Sequence, residues 1–159
     1  MGREIERKFL VKDDGWRKGA VGKLYCQGYI SRDEQRAVRV RIVEDQGFLT
    51  IKGRHNDLTR LEFEYEIPLT DARELLDTLC QPPLIEKTRY RVNYAGNIWE
   101  IDVFSGDNAG LIVAEIELSR EDQPFELPSW AGQEVTGDPR YLNTNLSKHP
   151  YLQWSKGKG

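Results

Sequence analysis

Apolar and polar residues alternate with a period of two along almost the whole chain, a pattern that demands antiparallel strands. It picks out Glu4–Val11, Leu24–Ser31, Ala37–Glu44, Phe48–Lys52, Thr59–Pro68, Leu84–Tyr94, Asn97–Phe104 and Leu111–Arg120. Turn chemistry separates several of them. Asp45-Gln46-Gly47 and Ala95-Gly96-Asn97 are hairpin signals, and Gly106-Asp107-Asn108-Ala109-Gly110 is a looser link. Helix is predicted over Thr70–Cys80, with Thr70 as cap and Leu75, Leu76 and Leu79 as an apolar stripe. Shorter helices are predicted around Asp14–Gly19 and Asp138–Leu146. Eight strands and three short helices suit a closed or nearly closed barrel, which removes exposed sheet edges. The expected class is mainly β (α+β): an eight-stranded antiparallel β-barrel with a few short helices outside and at one end.

Most of these strands carry their charges on one face, and each is nearly pure in sign. Acidic ladders are Glu4 with Glu6; Glu62, Glu64 and Glu66; Glu100 with Asp102; and Glu115 with Glu117. Basic ladders are Arg39 with Arg41; Lys52 with Arg54; and Lys87, Arg89 and Arg91. The opposite faces hold Val38, Val40 and Ile42; Phe63, Tyr65 and Ile67; Ile101 and Val103; Ile116 and Leu118, and these must be buried.

Two architectures satisfy this pattern. The apolar faces can pack inward under a solvated charged exterior, or the charges can line a barrel lumen beneath an apolar outside covered by helices. Charged residues usually sit outside. Sign-pure ladders favour the lumen, because like charges stacked on a sheet cost energy unless an oppositely charged ligand offsets them. Two carboxylates two residues apart can converge on one hard cation. Arginine forks and lysine ammonium groups suit phosphate oxygens. Acidic clusters beside basic ones therefore fit a metal ion together with a chain of phosphates.

Composition excludes other classes. The chain has 159 residues, 38% hydrophobic and 31% charged, with a net charge of −3. That is too hydrophobic and too nearly neutral for a disordered segment, and it lacks the basic excess of a nucleic-acid binder. Cys26 and Cys80 form no Cys-x-x-Cys pattern, so neither a disulfide framework nor a zinc cluster is indicated. His55 and His149 are isolated, and Ser31, Ser105 and Ser147 have no His/Asp pattern around them. No apolar run approaches the roughly 20 residues needed to span a bilayer, and no leader precedes Glu4. The expectation is one cytoplasmic domain over residues 1–159, with its core at about 3–146 and a tail over 147–159. Its Lys156-Gly157-Lys158-Gly159 end reads as frayed.

Taken in order, Glu4-x-Glu6-x-Lys8, Arg39-x-Arg41, Lys52 in Leu49-Thr50-Ile51-Lys52-Gly53, Glu62-x-Glu64, Lys87-x-Arg89 and Glu115-x-Glu117 resemble the CYTH superfamily, the triphosphate tunnel metalloenzymes. The resemblance runs from Glu4 to about Leu146, and Glu134–Asn143 is similar to the closing element of small bacterial members. It implies an eight-stranded tunnel with a charged lumen that binds a triphosphate and hydrolyses or rearranges it with Mg²⁺ or Mn²⁺. On that resemblance Glu4, Glu6, Glu115 and Glu117 hold metal, and Lys8, Arg39, Arg41, Lys52, Lys87 and Arg89 hold phosphates. Glu62, Glu64 and Asp102 are supporting tunnel acids. Tyr29 matches a tyrosine that pairs with the Lys52 position, although a barrel-wall aromatic would serve as well.

The implied activity is hydrolysis of inorganic tripolyphosphate. Class IV adenylate cyclase, thiamine triphosphatase and a non-enzymatic polyphosphate-binding barrel are the alternatives. The expected partner is a small triphosphate, with neither nucleic acid nor membrane, and a dimer is compatible. Flanking cations are expected to depress lysine pKa values, so Lys52 or Lys87 could act as a base at alkaline pH. Trp16, Trp99, Trp130 and Trp154 read as packing residues.

Overall fold

The computed structural model describes residues 3–33, 35–54 and 59–154. The strands are β1 (Arg3–Val11), β2 (Gly22–Asp33), β3 (Arg36–Val43), β4 (Gln46–Arg54), β5 (Thr59–Ile67), β6 (Gln81–Tyr94), β7 (Asn97–Ser105), β8 (Ile112–Glu117) and β9 (Ala131–Glu134). They form one antiparallel sheet in the order β5-β4-β3-β2-β6-β7-β8-β1-β9, and a further β1–β5 pairing closes the first eight into a barrel. Each predicted strand is present within a few residues of its expected ends.

β1 divides one of its edges between two partners. Arg3, Glu4 and Ile5 pair with Leu61, Arg60 and Thr59 of β5, whereas Phe9 and Val11 pair with Glu134 and Ala131 of β9. The other edge takes β8, with Glu6 opposite Glu117 and Lys8 opposite Glu115.

The charges line the inside. Outward residues of β1, β7 and β8 (Phe9, Trp99, Ile101, Ala114, Ile116) pack with Trp16, Trp130 and Ala131 from the connecting segments. Trp99 and Trp130 meet edge to face at 5.6 Å, a geometry that favours aromatic pairs beyond the area they bury. On the other side, Ala72 and Leu76 of α1 (Leu69–Thr78) cover Val40, with Ile42, Leu49 and Ile67 around it. Gly47 permits this approach: a Cβ there would stand 2.7 Å from Ala72 Cβ. One end of the lumen is apolar. Tyr29, Ala37, Ile85, Phe104 and Val113 gather there beneath Leu146 of α2 (Asn143–Lys148).

Several local expectations are corrected. Residues 14–19 form turns instead of a helix. Gly15 N–H donates to the Asp13 carboxylate and Gly19 adopts φ +75°, so side-chain bonding and a left-handed glycine displace the helical ladder. Thr70 does not cap α1. The N-cap is Pro68, whose carbonyl accepts from Ala72 N–H, and no side chain caps the turn. The predicted 138–146 helix splits into a 3₁₀ turn, Pro139–Tyr141, and α2, because Leu142 is extended at φ −69°, ψ 137°. The β3–β4 turn is Glu44-Asp45, with Gln46 and Gly47 already in β4. Ala95 and Gly96, at φ +50° and +82°, make the expected tight hairpin. Phe63 and Tyr65, expected to be buried, are 45% and 58% exposed, because, of that β5 face, only Ile67 packs in the cluster beneath α1. β9 adds a strand that the alternation does not predict. Lys156–Gly159 and His55 lie outside the described residues. Among the described residues, no helix is long and apolar enough to cross a membrane.

Candidate active site

Alternation along each strand places one face in the lumen, where the barrel encloses a cavity of about 260 Å³. Glu4, Glu6, Lys8, Tyr29, Arg39, Arg41, Lys52, Glu62, Glu64, Arg89, Glu115 and Glu117 all line it, so twelve of the fourteen expected site residues converge there. The two exceptions, Lys87 and Asp102, lie on the same inward face but are buried and do not line the cavity. Lys87 Nζ donates to Asp102 Oδ2 at 2.7 Å, and Asp102 also accepts from Arg89 Nε at 2.7 Å and Nη2 at 2.9 Å. The pair therefore fixes the Arg89 fork from behind. Arg91, expected in line with Lys87 and Arg89, is exposed and does not line the cavity.

Cations and carboxylates interlock across the strands. Lys52 Nζ lies 3.1 Å from Glu62 and 3.6 Å from Glu4, and Lys8 Nζ lies 3.5 Å from Glu115. Arg39 donates to Thr50 Oγ1 at 3.2 Å, and Thr50 donates to Glu64 at 2.9 Å. Arg41 Nε donates to Gln27 Oε1 at 2.9 Å.

The electrostatics divide the lumen. On the acidic side, burial first and then Glu6 and Glu62 push the Glu4 carboxyl up to about 8, despite Lys52. Burial and Glu115 raise Glu6, and burial, Glu6 and Glu100 raise Glu117. Burial would also raise Glu115 and Glu62, but nearby cations outweigh it. Lys8 and Arg89 hold Glu115 down, and Lys52 and Arg39 hold Glu62 at about 2. On the basic side, burial followed by Arg39 and Arg89 lowers Arg41 to about 10.

The two lysines behave differently from each other. Burial, with Arg89 and Arg41, brings Lys87 down to about 7 against the pull of Asp102. For Lys52 the expectation is reversed. Burial and Arg39 act downward, yet Glu4, Glu62 and Glu6 together raise it, so this ammonium stays charged.

Among the described residues, no three carboxylate, histidine or cysteine side chains already enclose a cation position. The acidic side nonetheless fits a hard divalent ion. Its donors are all carboxylate oxygens, Glu4 Oε1 is buried with no hydrogen-bond partner, and three of the four carboxylates are held up by burial and mutual repulsion.

Tyr25, Glu100, Arg60 and the plug residues Leu142, Asn143 and Thr144 also line the cavity. None was among the expected site residues. Tyr25 and Arg60 carry the same period-two signal as their neighbours, Tyr25 in step with Tyr29 and Arg60 with Glu62. Tyr29 lines the wall and packs in the apolar end, and no hydrogen bond joins it to Lys52 among the described residues.

The CYTH domain model matches residues 2–151. The inorganic triphosphatase of Acetivibrio thermocellus is 54% identical over 156 residues, spanning 98% of this chain and 100% of the relative. The inorganic triphosphatase of Nitrosomonas europaea is 37% identical over 152 residues, spanning 91% and 96%. A crystal structure of an inorganic triphosphatase matches with a TM-score of 0.67 at 33% identity, covering 90% of this chain and 96% of that one.

Proposed function

The chain belongs to the CYTH domain family, and from that premise we propose that its lumen hydrolyses a triphosphate with a divalent metal, inorganic tripolyphosphate being cleaved to pyrophosphate and phosphate. One observation carries the reading: one cavity in the lumen holds Lys8, Arg39, Arg41, Lys52 and Arg89 against an acidic cluster whose carboxylates repel one another. An anion carrier has no use for those carboxylates, which would only weaken its binding.

In this reading Glu4, Glu6, Glu115 and Glu117 hold Mg²⁺ or Mn²⁺. The ion would supply charge neutralisation and polarisation at the phosphate oxygens. The chain's own residues do the positioning. Arg39, Arg41 and Arg89 present forks, and Lys8 and Lys52 present point charges, to oxygens of the bound triphosphate. Such charges stabilise negative charge as it shifts onto the leaving phosphate, and they stand in place before the reaction begins.

Lys52, kept charged, acts on the phosphates as a cation. Lys87 and Asp102 stand behind Arg89 and hold its orientation. Tyr29 closes the wall beside the apolar plug. Cys26 and Cys80 are unpaired, which suits a reducing compartment such as the cytoplasm.

The test is phosphate release from tripolyphosphate and from ATP, with Mg²⁺ or Mn²⁺ and with EDTA. Tripolyphosphate should be the better substrate, EDTA should stop turnover, and Glu6→Gln should lower kcat/KM by about a hundredfold or more. Cyclic AMP and pyrophosphate from ATP would move the chain to cyclase chemistry. Tight triphosphate binding without turnover would leave a binding module.

A further inference from the structure

The cations of the basic side repel one another, and three of them converge on one aromatic ring that triphosphate chemistry itself does not employ. Tyr25, on β2, lines the cavity. Its ring centroid lies 4.9 Å from the Arg41 guanidinium carbon, 5.1 Å from that of Arg89 and 5.9 Å from Lys87 Nζ. Arg41 comes from β3 and the other two from β6, the strands on either side of β2. The ring thus sits where cations from two neighbours meet. Two residues along the same face, Gln27 accepts the Arg41 Nε proton at 2.9 Å and is itself fully buried. Among the described residues Arg41 forms no ion pair, unlike Arg89, whose fork is held by Asp102. Its orientation rests on the Gln27 amide and the Tyr25 ring.

We propose that Tyr25 is a positioning residue for the phosphate-binding cations: its negative ring face holds Arg41 and Arg89 side by side, in reach of a bound triphosphate and short of the separation their repulsion would impose. This rests on the triphosphatase reading of the lumen. An aromatic face attracts a cation through its quadrupole, and the attraction strengthens where water is excluded. The crowding it opposes is visible in Arg41, whose guanidinium is destabilised by burial and by Arg39 and Arg89. The triphosphate is charged before it reacts, so contacts aimed by Tyr25 act on substrate and transition state alike, and their loss appears in KM more than in kcat.

The experiment compares wild type, Tyr25→Phe, Tyr25→Leu and protein carrying pentafluorophenylalanine at position 25, a ring of similar shape with its quadrupole reversed. Tripolyphosphate binding is measured by calorimetry with Mg²⁺ present, and phosphate release is measured in parallel. Tyr25→Phe should stay within about twofold of wild type. Tyr25→Leu and the fluorinated ring should weaken binding and raise KM by about tenfold, with kcat changed by less than about threefold. If Tyr25→Leu does not fold, the fluorinated protein decides alone. Wild-type affinity with the fluorinated ring, or a Phe variant as weak as the fluorinated one, overturns the proposal. Wild type that binds but does not hydrolyse, with the same affinity order, would remove the triphosphatase reading and leave the positioning role standing. Absence of binding by wild type would end both.

Discussion

At the scale of single residues, the site is held in tension by Glu4. Its carboxyl titrates near 8 in the folded chain, against 4.5 for the unperturbed group. Between those values the folded state keeps a proton that the unfolded chain has released. The stability linked to this group is therefore complete below about pH 4.5 and is lost as pH rises through 8. Glu4→Gln removes that loss while removing a proposed metal ligand. In EDTA, the Tm of Glu4→Gln relative to wild type should rise by about 3 °C or more between pH 5 and pH 9. A difference that does not change with pH would show that Glu4 carries no such strain. The lumen ladders were legible in the sequence because alternation alone puts Glu4, Glu6 and Lys8 on one face. Depth along that face was not legible. Lys87 and Arg89 share a strand and a face, yet Lys87 is fully buried within the barrel and only Arg89 reaches the cavity. Lys52 departs from its expected downward shift for a related reason: its nearest charges come from β1 and β5, which no local motif reveals.

At the scale of elements, β9 shows what pattern reading misses. Ala131-Gly132-Gln133-Glu134 has neither alternation nor β-branched residues, and it is a strand because β1 offers it an unpaired edge. Its anchor is the Arg7 fork on Glu134, at 2.8 and 2.7 Å, and Thr136 Oγ1 accepts the Lys8 backbone N–H at 2.9 Å. Both charged side chains are about a third exposed, at 30% and 34%. Arg7→Ala should therefore cost only about 1 kcal/mol, seen as a Tm drop of about 2–4 °C, with turnover retained. α2 answers differently. Leu146 is fully buried and seats the plug that brings Asn143 and Thr144 to the cavity. Leu146→Ala should cost about 2–5 kcal/mol in denaturant unfolding and raise KM as the plug loosens. A KM equal to wild type would mean the plug does not shape the cavity.

At the scale of the whole molecule, the barrel turns ordinary antiparallel chemistry inside out, with its apolar faces outward under α1 and the connecting segments, save on β5 where Phe63 and Tyr65 stay exposed. An interior of opposed charges is balanced when both ions arrive, so ligand and stability are coupled. Mg²⁺ near a hundredfold excess over its dissociation constant should add about 2.7 kcal/mol, read as a higher Tm that Glu6→Gln abolishes. An identical Mg²⁺ response in the variant would place the ion elsewhere. The divided edge of β1 has a consequence for how such a molecule comes to exist. Residues 3–11 pair with residues 59–61, 113–117 and 131–134 and with no earlier partner. At about 5–20 residues per second of synthesis, β1 waits on the order of ten seconds for β8 to be made. Glu4, Glu6 and Lys8 are among the first parts of the site to leave the ribosome and among the last to be placed. Contacts this distant in sequence make for slow folding, on the order of milliseconds to seconds.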